Sequence, residues 1–287
     1  MKASFRHFPL LPLVLTVLAF MPALGLHAQR PDVPTGGFQR GDINRDGHPD
    51  YTLFNPSSRA TAVWFLNGNT FMSGVFGPTL PQDWVLSTVG ARLDGSNDAG
   101  WVLTKQSTRQ TAVWFIQFDG TFRSGSFGPT VPSGWSVIAA TDMNNTGRSD
   151  YVLFNSTTRQ TAVWFLNGTT LVSKTHGPTL PTGWILTDAV NVGGDIIPEF
   201  VLFHPSSGRT AFWFLHNMAL VNGVYGPTVP SGWSLHGAAD FNGDTKPDLV
   251  ISQASTRQTT IWYMDGTAFT NAAVGPTVAA GFRLIFP

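Results

Sequence analysis

The sequence has no cysteine, a single glutamate and few charged residues of either sign. Because there is no cysteine, no disulfide can stabilise the fold, and side-chain packing or bound ions must do so. Lysine and arginine do not cluster, and clustered basic side chains are what holds a phosphate backbone, so nucleic acid is excluded as a partner. After the N-terminal leader, no segment keeps the apolar period of a helix. These absences favour an all-β protein.

The first 28 residues have the pattern of a secretory signal peptide. Lys2 and Arg6 begin it, and prolines interrupt the apolar segment that follows, so its longest unbroken run is the nine residues 13–21. A membrane-spanning helix needs about 20 apolar residues. Ala28 ends the segment, and we expect cleavage after it. An uncleaved membrane anchor is the alternative. The prediction is a protein secreted to the cell exterior or the periplasm that does not span a membrane.

The remaining chain, residues 29–287, has the length of one large all-β domain. Removal of Lys2 and Arg6 with the leader leaves 15 basic against 17 acidic residues. Glu199 is the one glutamate, so the acidic residues are almost all aspartate. Aspartate favours turns and metal-binding loops because its short carboxylate folds back onto the local backbone. The composition therefore indicates that the functional chemistry, such as metal binding, lies in loops. We expect a monomer.

Five copies of one unit of 49 to 50 residues fill the chain after the leader. Each copy contains an aromatic strand that resembles TAVWFLNG, followed by Gly-Pro-Thr and then by an aromatic residue after a turn. The strand tryptophans are Trp64, Trp114, Trp164, Trp213 and Trp262. The post-turn aromatics are Trp84, Trp135, Trp184, Trp233 and Phe282. A period of 40 to 50 residues with several short strands per unit is typical of a β-propeller or a similar array.

Each unit reads as four short strands separated by Asn, Asp, Gly, Ser and Pro turns. Both faces of the TAVWFL strand are apolar or small, which predicts a strand buried on both faces. The prediction is a five-bladed β-propeller of four-stranded antiparallel blades, because propeller blades stack face to face. The first unit lacks one strand and the chain ends with a spare one. We therefore expect residues 282–286 to pair into the first blade beside residues 51–55, closing the ring.

Two loops contain the clearest chemical signal. Asx loop 1 (residues 42–50, DINRDGHPD) and Asx loop 5 (residues 240–248, DFNGDTKPD) have side-chain oxygens at positions 1, 3, 5 and 9. The residue at position 7 would contribute its backbone carbonyl oxygen as a further ligand. Oxygen ligands at alternate positions suit Ca²⁺, and three carboxylates so close repel unless a cation lies among them. The predicted ligands are Asp42, Asn44, Asp46, His48, Asp50, Asp240, Asn242, Asp244, Lys246 and Asp248. A pair of Asx-rich turns capping strands is the alternative.

The other three loops match the pattern less well. Asx loop 3 (residues 142–150) keeps two carboxylates and two neutral oxygens, a poorer set. Asx loop 4 (residues 191–199) lacks a ligand at position 3, and Asx loop 2 (residues 92–100) has a broken set with Arg92 at position 1. The predicted ligands of Asx loop 3 are Asp142, Asn144, Thr146 and Asp150.

The pattern Asp-x-Asn-x-Asp-Gly-x-x-Asp before an apolar strand resembles the FG-GAP or VCBS repeats of secreted bacterial proteins and of integrin α-chain propellers. Asx loop 1 has Gly47 at the glycine position, whereas Asx loop 5 has Thr245. The resemblance implies structural Ca²⁺ in blade loops and implies no activity. The best-known members have seven blades rather than five. In repeat number alone, the chain resembles tachylectin-type sugar-binding propellers.

The tryptophans and the repeated arginines each have two interpretations. The tryptophans fit a core ladder between blades, because buried aromatic residues dominate such packing. Alternatively, the post-turn tryptophans line sugar pockets between blades. Arg59, Arg109, Arg159 and Arg257 precede the aromatic strand. They brace the exposed hairpin turns in one interpretation and contact a ligand in the other.

The sequence shows no catalytic constellation. Its histidines stand at unrelated positions of different repeats, and there is no phosphate-cradling glycine loop or glycine-rich nucleophile turn. The prediction is a secreted, calcium-binding, non-enzymatic module for adhesion to, or recognition of, an extracellular protein or glycan. A multivalent lectin, which gains avidity from repeated weak sites, is one alternative. A hydrolase or lyase built on the central channel is the other.

Overall fold

The computed structural model describes residues 40–96 and 98–286, and all regular secondary structure there is β-strand. The predicted signal peptide, residues 1–28, lies outside the described residues, as do residues 29–39. Within the described ranges, no helix is long and apolar enough to cross a membrane. The strands are β1 (Tyr51–Phe54), β2 (Thr61–Asn67), β3 (Thr70–Phe76), β4 (Trp84–Ala91), β5 (Ala99–Lys105), β6 (Gln110–Ile116), β7 (Phe122–Thr130), β8 (Trp135–Thr141), β9 (Asp150–Asn155), β10 (Gln160–Asn167), β11 (Thr170–Thr179), β12 (Ile185–Val190), β13 (Glu199–His204), β14 (Arg209–His216), β15 (Ala219–Tyr225), β16 (Trp233–Ala239), β17 (Asp248–Gln253), β18 (Gln258–Asp265), β19 (Ala268–Thr277) and β20 (Arg283–Ile285).

Four antiparallel strands make one repeated unit. Unit 1 is β20-β1-β2-β3, and units 2 to 5 are β4–β7, β8–β11, β12–β15 and β16–β19. The first unit is completed from the far end of the chain, since β20 pairs antiparallel with β1 and sets Leu284 opposite Leu53. In each unit the third strand carries the repeated tryptophan. These third strands are largely buried on both faces, which confirms the prediction from TAVWFL.

The prediction of a closed five-bladed propeller of four-stranded antiparallel blades is wrong. Units 2 and 3 form one eight-stranded sheet, because β4 and β8 pair in parallel at Gly90 and Ala140, and the remaining units form three four-stranded sheets. The reason is steric. A Cβ atom at Gly90 would lie 2.6 Å from the Ala140 Cβ, so only a glycine lets these two backbones approach closely enough to bond. The architecture is an all-β, β-propeller-like array of repeated four-stranded units.

Five apolar clusters lie between successive units and form the core. Units 1 and 2 share one cluster around Trp101, and units 2 and 3 share another around Tyr151. Further clusters join unit 3 to unit 4 and unit 4 to unit 5. The last cluster joins unit 5 to unit 1 and includes Phe241 and Phe286, whose ring centroids are 6.1 Å apart. Burial of apolar area between units therefore holds the array together.

The first strands of all five units line one axial cavity of about 250 Å³. Its wall includes Ser87, Ile138, Thr187, His236 and Phe286, one from each unit. At the equivalent position of each unit the wall has Ser87, Ile138, Thr187, His236 or Ile285, so the repeat is less regular along the axis than in the third strands.

The segment before β1 is anchored to unit 4. Arg40 Nη2 forms an ion pair of 2.6 Å with Asp188 Oδ1, and Arg40 Nη1 donates to the Ala189 carbonyl at 3.0 Å. Asp188 is fully buried and also accepts from the backbone N–H of Ala238 at 2.9 Å. Burial raises the pKa of Asp188, and the charge of Arg40 opposes that rise. Because Asp188 is buried, removal of Arg40 would leave an unpaired charge in the core.

Candidate functional site

Asx loop 1 closes on itself through its side-chain oxygens. Asp42 Oδ1 and Asn44 Oδ1 both accept from the backbone N–H of Asp46, at 3.2 and 3.0 Å, so these two oxygens converge on one point. Asp42 Oδ2 accepts from the Gly47 N–H at 2.9 Å. Positive φ angles at Arg45 (64°) and Gly47 (93°) wrap the backbone around this point. The arrangement is a chain of Asx turns that gathers oxygen atoms.

Asx loop 5 repeats this geometry 198 residues later. The Asp244 N–H donates to Asp240 Oδ1 at 3.1 Å and to Asn242 Oδ1 at 3.0 Å. The Thr245 N–H donates to Asp240 Oδ2 at 2.8 Å, as Gly47 does in Asx loop 1. Thr245 takes φ of 71° despite its branched side chain. The same oxygens therefore converge in both loops that match the full sequence pattern.

Position 7 of each loop supplies only backbone to this network. The His48 N–H donates to Asp46 Oδ1 at 3.0 Å, and the Lys246 N–H donates to Asp244 Oδ1 at 2.8 Å. The Lys246 side chain points away from the loop to Asp265, 2.7 Å distant. The position thus tolerates either side chain, as the sequence suggests.

The acidic residue at position 9 has a structural role that the sequence analysis missed. Asp50 Oδ2 accepts from the N–H groups of Ile43 and Asn44 at 2.9 and 3.2 Å, and Asp50 Oδ1 accepts from Leu66 at 3.0 Å. Asp150 and Asp248 make the equivalent bonds from the loop to the third strand. Each carboxylate therefore ties its loop to its sheet. An acidic residue directly before an apolar strand in four of the five units was the available signal.

Burial determines the protonation of these carboxyl groups. Burial raises the pKa of Asp150 and of Asp248 to about 6, against opposing backbone hydrogen bonds, and raises that of Asp50 well above its usual value. Burial also raises the pKa of Asp42 to about 6, and the neighbouring Asp46 carboxylate adds to the rise. Keeping these buried carboxyl groups ionised therefore costs free energy, and a bound cation would reduce that cost.

Asx loop 3 keeps part of the network. Asp142 Oδ1 accepts from the Thr146 N–H at 3.0 Å, and Asp142 Oδ2 accepts from the Gly147 N–H at 2.6 Å. Asn144 and Thr146 are exposed, and neither side chain makes a hydrogen bond within the described part of the chain. One carboxylate is therefore positioned as in Asx loops 1 and 5, and the oxygen at position 3 is not.

Asx loops 2 and 4 are built differently. In Asx loop 4 the Asn191 amide group donates to the Asp195 carbonyl, and the Asn191 amide oxygen accepts from the Gly194 N–H at 2.8 Å, at position 4 rather than from the N–H of position 5 that Asx loops 1 and 5 use. In Asx loop 2, Arg123 forms ion pairs with Asp94 at 2.7 Å and with Asp98 at 3.0 Å. Arg45 of Asx loop 1 also pairs with Asp98. Arginines from outside the loop therefore provide the positive charge there.

Within residues 40–96 and 98–286, no three or more His, Cys, Asp or Glu side chains are grouped so as to hold a metal. The reason lies at position 9, whose carboxylate faces backbone amides. The oxygens that converge in Asx loops 1 and 5 come from Asp at position 1 and Asn at position 3, with Asp at position 5 beside them. This all-oxygen donor set, with a carbonyl at position 7, fits Ca²⁺.

The repeated arginines brace turns, which confirms the first of their two interpretations. Arg59 Nε donates to the Leu80 carbonyl at 3.1 Å, and the Leu80 N–H donates back to the Arg59 carbonyl at 2.9 Å. Arg109, Arg159 and Arg257 make the same side-chain bond at 3.0 to 3.2 Å. Each arginine therefore ties its hairpin turn to the segment after Gly-Pro-Thr.

The tryptophans mostly belong to the core. Trp101 is fully buried, and Trp114, Trp164 and Trp262 are nearly so. The post-turn tryptophans are half-buried and pack against the clusters between units. Two of them also line pockets: Trp184 lines one of about 160 Å³ with Trp213 and Tyr225, and Trp135 lines one of about 250 Å³ with Arg109.

The structure also brings together a histidine and a serine. His236 Nε2 and Ser252 Oγ lie 2.6 Å apart, and burial lowers the pKa of His236 to about 4, so the ring is neutral at pH 7. Ser87 and Thr104 form the equivalent cross-strand pair in unit 2, at 2.8 Å. A repeated cross-strand pair indicates a structural bond. In the described residues, nothing hydrogen-bonds the other ring nitrogen of His236 to orient it as a base.

No family model and no curated protein matches this sequence. Among solved structures, a protein of unknown function from Bacteroides caccae aligns with 13% identity and a TM-score of 0.43, over 78% of this chain and 73% of that chain. A luciferin-regenerating enzyme aligns with 9% identity and a TM-score of 0.47, over 83% and 78%. The Photorhabdus luminescens Tc holotoxin pore aligns with 15% identity and a TM-score of 0.42, over 88% of this chain and 12% of that chain. Similarity this low assigns neither family nor function.

Proposed function

We propose that this chain is a secreted, calcium-binding recognition module without enzyme activity, and that it binds an extracellular protein or glycan. The observation that carries the proposal is the shared geometry of Asx loops 1 and 5. Two loops far apart in sequence gather the same oxygens around the N–H of position 5. Asx turns that only capped strands would not require an acidic residue at position 5 in both copies.

Asp42, Asn44 and Asp46 would hold the ion in Asx loop 1, with the backbone carbonyl of His48. Their counterparts in Asx loop 5 are Asp240, Asn242 and Asp244, with the carbonyl of Lys246. When bound, Ca²⁺ would neutralise acidic charge and fix the loop to its sheet. Asp50 and Asp248 hold the loop in place and keep further lone pairs for the ion. Asx loop 3 is a weaker site, in which Asp142, Asn144, Thr146 and Asp150 take the same positions.

The ion is structural in this proposal, which agrees with the resemblance to FG-GAP and VCBS repeats. The same resemblance and the leader support secretion, where free Ca²⁺ is abundant enough for a site with Kd of about 10⁻⁴ to 10⁻³ M. Without cysteine, calcium takes the stabilising role that disulfides often have outside the cell.

A lectin is the second candidate, and the aromatic pocket at Trp184 favours it. A hydrolase or lyase remains a third expectation. Its best support is the His236–Ser252 pair in the wall of the axial cavity. Hydrolysis of polysaccharide or ester substrates by the purified protein would contradict the non-enzymatic proposal.

Thermal unfolding with and without a calcium chelator tests the ion. At a free calcium concentration 100 times Kd, one site adds about 2.7 kcal/mol, if the unfolded chain does not bind. We expect the chelator to lower the Tm, and Asp46→Ala and Asp244→Ala each to remove part of that response. Equal Tm values with and without chelator would reject the ion at both loops.

Two binding experiments test the recognition role. A glycan array probed with calcium separates a glycan ligand from a protein ligand, and pulldown of extracellular protein provides the second arm. Specific binding in either arm, lost when the fold is melted, supports the module. If the folded protein binds neither a glycan nor an extracellular protein, the proposed recognition role is contradicted.

A further inference from the structure

The five units differ in what covers the tryptophan of their third strand. In units 1, 2 and 5 a phenylalanine of the fourth strand lies edge-on against this tryptophan. The pairs are Trp64–Phe71 at 5.2 Å, Trp114–Phe122 at 5.0 Å and Trp262–Phe269 at 5.4 Å between ring centroids. Edge-to-face contacts of this kind stabilise aromatic pairs and cover the indole.

Unit 3 covers its tryptophan by another means. Leu171 stands at the phenylalanine position, and Lys174 lies opposite Trp164 in the strand pair. Its ammonium is 6.0 Å from the Trp164 ring centroid, within reach of a cation–π contact. The lysine therefore takes the place of the missing ring.

Unit 4 has neither cover. Leu220 stands at the phenylalanine position, and Gly223, with no side chain, lies opposite Trp213. The uncovered indole forms one wall of the pocket of about 160 Å³. Trp184 and Tyr225 form the other walls, with ring centroids 6.1 Å apart, and Leu202 and Ala211 line the pocket with them.

We infer that this pocket binds one pyranose ring of a glycan. An engineered cavity of about 150 Å³ holds one benzene ring, so the pocket suits a single six-membered ring. The C–H face of a pyranose is apolar and weakly positive, which complements the negative face of an aromatic ring. Aromatic walls with a few polar groups at the rim are typical of ligand sites.

Polar groups at the rim match the hydroxyls of such a ring. The Trp184 and Trp213 indole N–H groups make no hydrogen bond within the described part of the chain. The Arg209 guanidinium lies 5.7 Å from the Tyr225 ring centroid, and Tyr225 is 69% exposed. Both tryptophans line the pocket, and Arg209 contacts its Tyr225 wall, so three donor groups lie in or next to the site. The inference rests on the proposed recognition role and narrows its ligand to a glycan, but it does not depend on calcium.

Titration of the full chain with methyl glucoside, galactoside, mannoside and N-acetylglucosaminide tests the inference. The indole N–H signals in NMR spectra report the binding, with Trp184→Phe and Trp213→Phe assigning two of them. We expect at least one pyranoside to shift both signals with Kd of about 1 mM, a common scale for a ligand of this size.

Two variants exchange the residue that lies opposite the third-strand tryptophan. One gives unit 4 the lysine of unit 3, and the other gives unit 3 the glycine of unit 4. Gly223→Lys places an ammonium over Trp213, as Lys174 does in unit 3, and should weaken binding at least tenfold. Lys174→Gly should open a second pocket and shift the Trp164 signal with the same pyranoside. Asn222→Lys adds the same charge to a neighbouring exposed position and should leave binding unchanged.

The possible outcomes decide the inference. Binding that Gly223→Lys leaves intact, with an unchanged fold by circular dichroism, places the ligand elsewhere and overturns it. Binding of indole or p-cresol in the pocket without any pyranoside also overturns it. A folded protein that binds no pyranoside but captures a protein ligand refutes the pocket assignment and leaves the recognition role standing.

Discussion

Asx loop 2 and Asx loop 5 occupy the same place in their units but compensate acidic charge in different ways. In Asx loop 2, Arg123 reaches Asp94 and Asp98 from the fourth strand of the same unit. Burial acts to raise the pKa of Asp94, but hydrogen bonds from Ser96 and Arg123 hold it below its usual value. In Asx loop 5 the pKa of Asp248 is raised to about 6 by burial. Arginines from outside the loop compensate the acidic charge of Asx loop 2, whereas we propose that calcium does so in Asx loop 5.

Removal of the position 9 carboxylate should have the largest effect. Asp248→Ala leaves the buried N–H groups of Phe241 and Met264 without an acceptor. At about 1–3 kcal/mol for each group, we expect the free energy of unfolding to fall by about 2–6 kcal/mol. Urea denaturation measures the change. The matched control in Asx loop 2 is Asp98→Ala, for which a loss as large would show that the two loops are equally dependent on acidic side chains.

The second largest effect should be on the stabilisation by calcium, which a substitution in Asx loop 5 should reduce and one in Asx loop 2 should not. Asp244→Ala should reduce the stabilisation by saturating calcium, about 2.7 kcal/mol per site at 100 times Kd. Asp94→Ala in Asx loop 2 should leave that stabilisation unchanged, because Arg123 already compensates this loop. Calorimetry of each variant with and without chelator provides the comparison. A response lost equally in both variants would contradict the distinction.

The pH dependence in chelator should be smaller, since two effects oppose each other. Asp248 has a raised pKa of about 6, so its contribution to stability is complete below the unfolded value of 3.8 and is lost as pH rises through 6. His236 has a lowered pKa of about 4, so its contribution is present above 6.5 and is lost as pH falls through 4.

One pKa unit corresponds to about 1.4 kcal/mol, so between pH 7 and 5 Asp248 should gain about 1 kcal/mol of stability and His236 should lose about 2 kcal/mol, which leaves a net change of no more than about 1 kcal/mol from these two groups. The variant His236→Leu removes the opposing effect, so its Tm in chelator should rise more steeply as pH falls from 7 to 5. Saturating calcium should flatten that rise, because protons and calcium compete for the same carboxylates. If the Tm of His236→Leu falls on acidification instead, the pH dependence assigned to the carboxyl groups is wrong.

Salt should have the smallest effect and should act on Asx loop 2. Exposed ion pairs contribute about 0–1 kcal/mol and are screened by salt. Arg123→Gln should therefore lower the free energy of unfolding by no more than about 1 kcal/mol at low salt, with the difference vanishing at high salt. A loss that persists in high salt would show that the contact of the Arg123 guanidinium with the Phe115 ring, 5.3 Å from its centroid, matters more than the ion pairs.

The repeats made much of the local structure predictable. A strand such as TAVWFL, apolar on both faces, can only be stable between two layers, and all five copies are strands. The pairing of residues 51–55 with the C-terminal strand followed from a first unit that lacked a strand. Asp and Asn at alternate loop positions similarly predicted turns that gather oxygens.

The predicted closed five-bladed propeller was wrong because two units pair into one sheet, and such pairing depends on the distance between backbones. Gly90 beside Ala140 is invisible to a periodic pattern, since the two residues meet only after units 2 and 3 pack. The role of Asp50 and Asp248 as acceptors for distant N–H groups was missed for the same reason. Each bonds a residue 16 positions away that only the folded sheet brings near.

The sequence by itself determined the unit, its four strands and the loops in which acidic side chains gather, because these depend on neighbours along the chain. Only the tertiary structure decided which carboxylates face arginine and which face backbone amides. It also decided which tryptophan is left uncovered, since Gly223 and Leu220 expose Trp213 only where the fourth strand crosses it. Charge compensation and exposure are set by groups far apart in sequence, and packing brings them together.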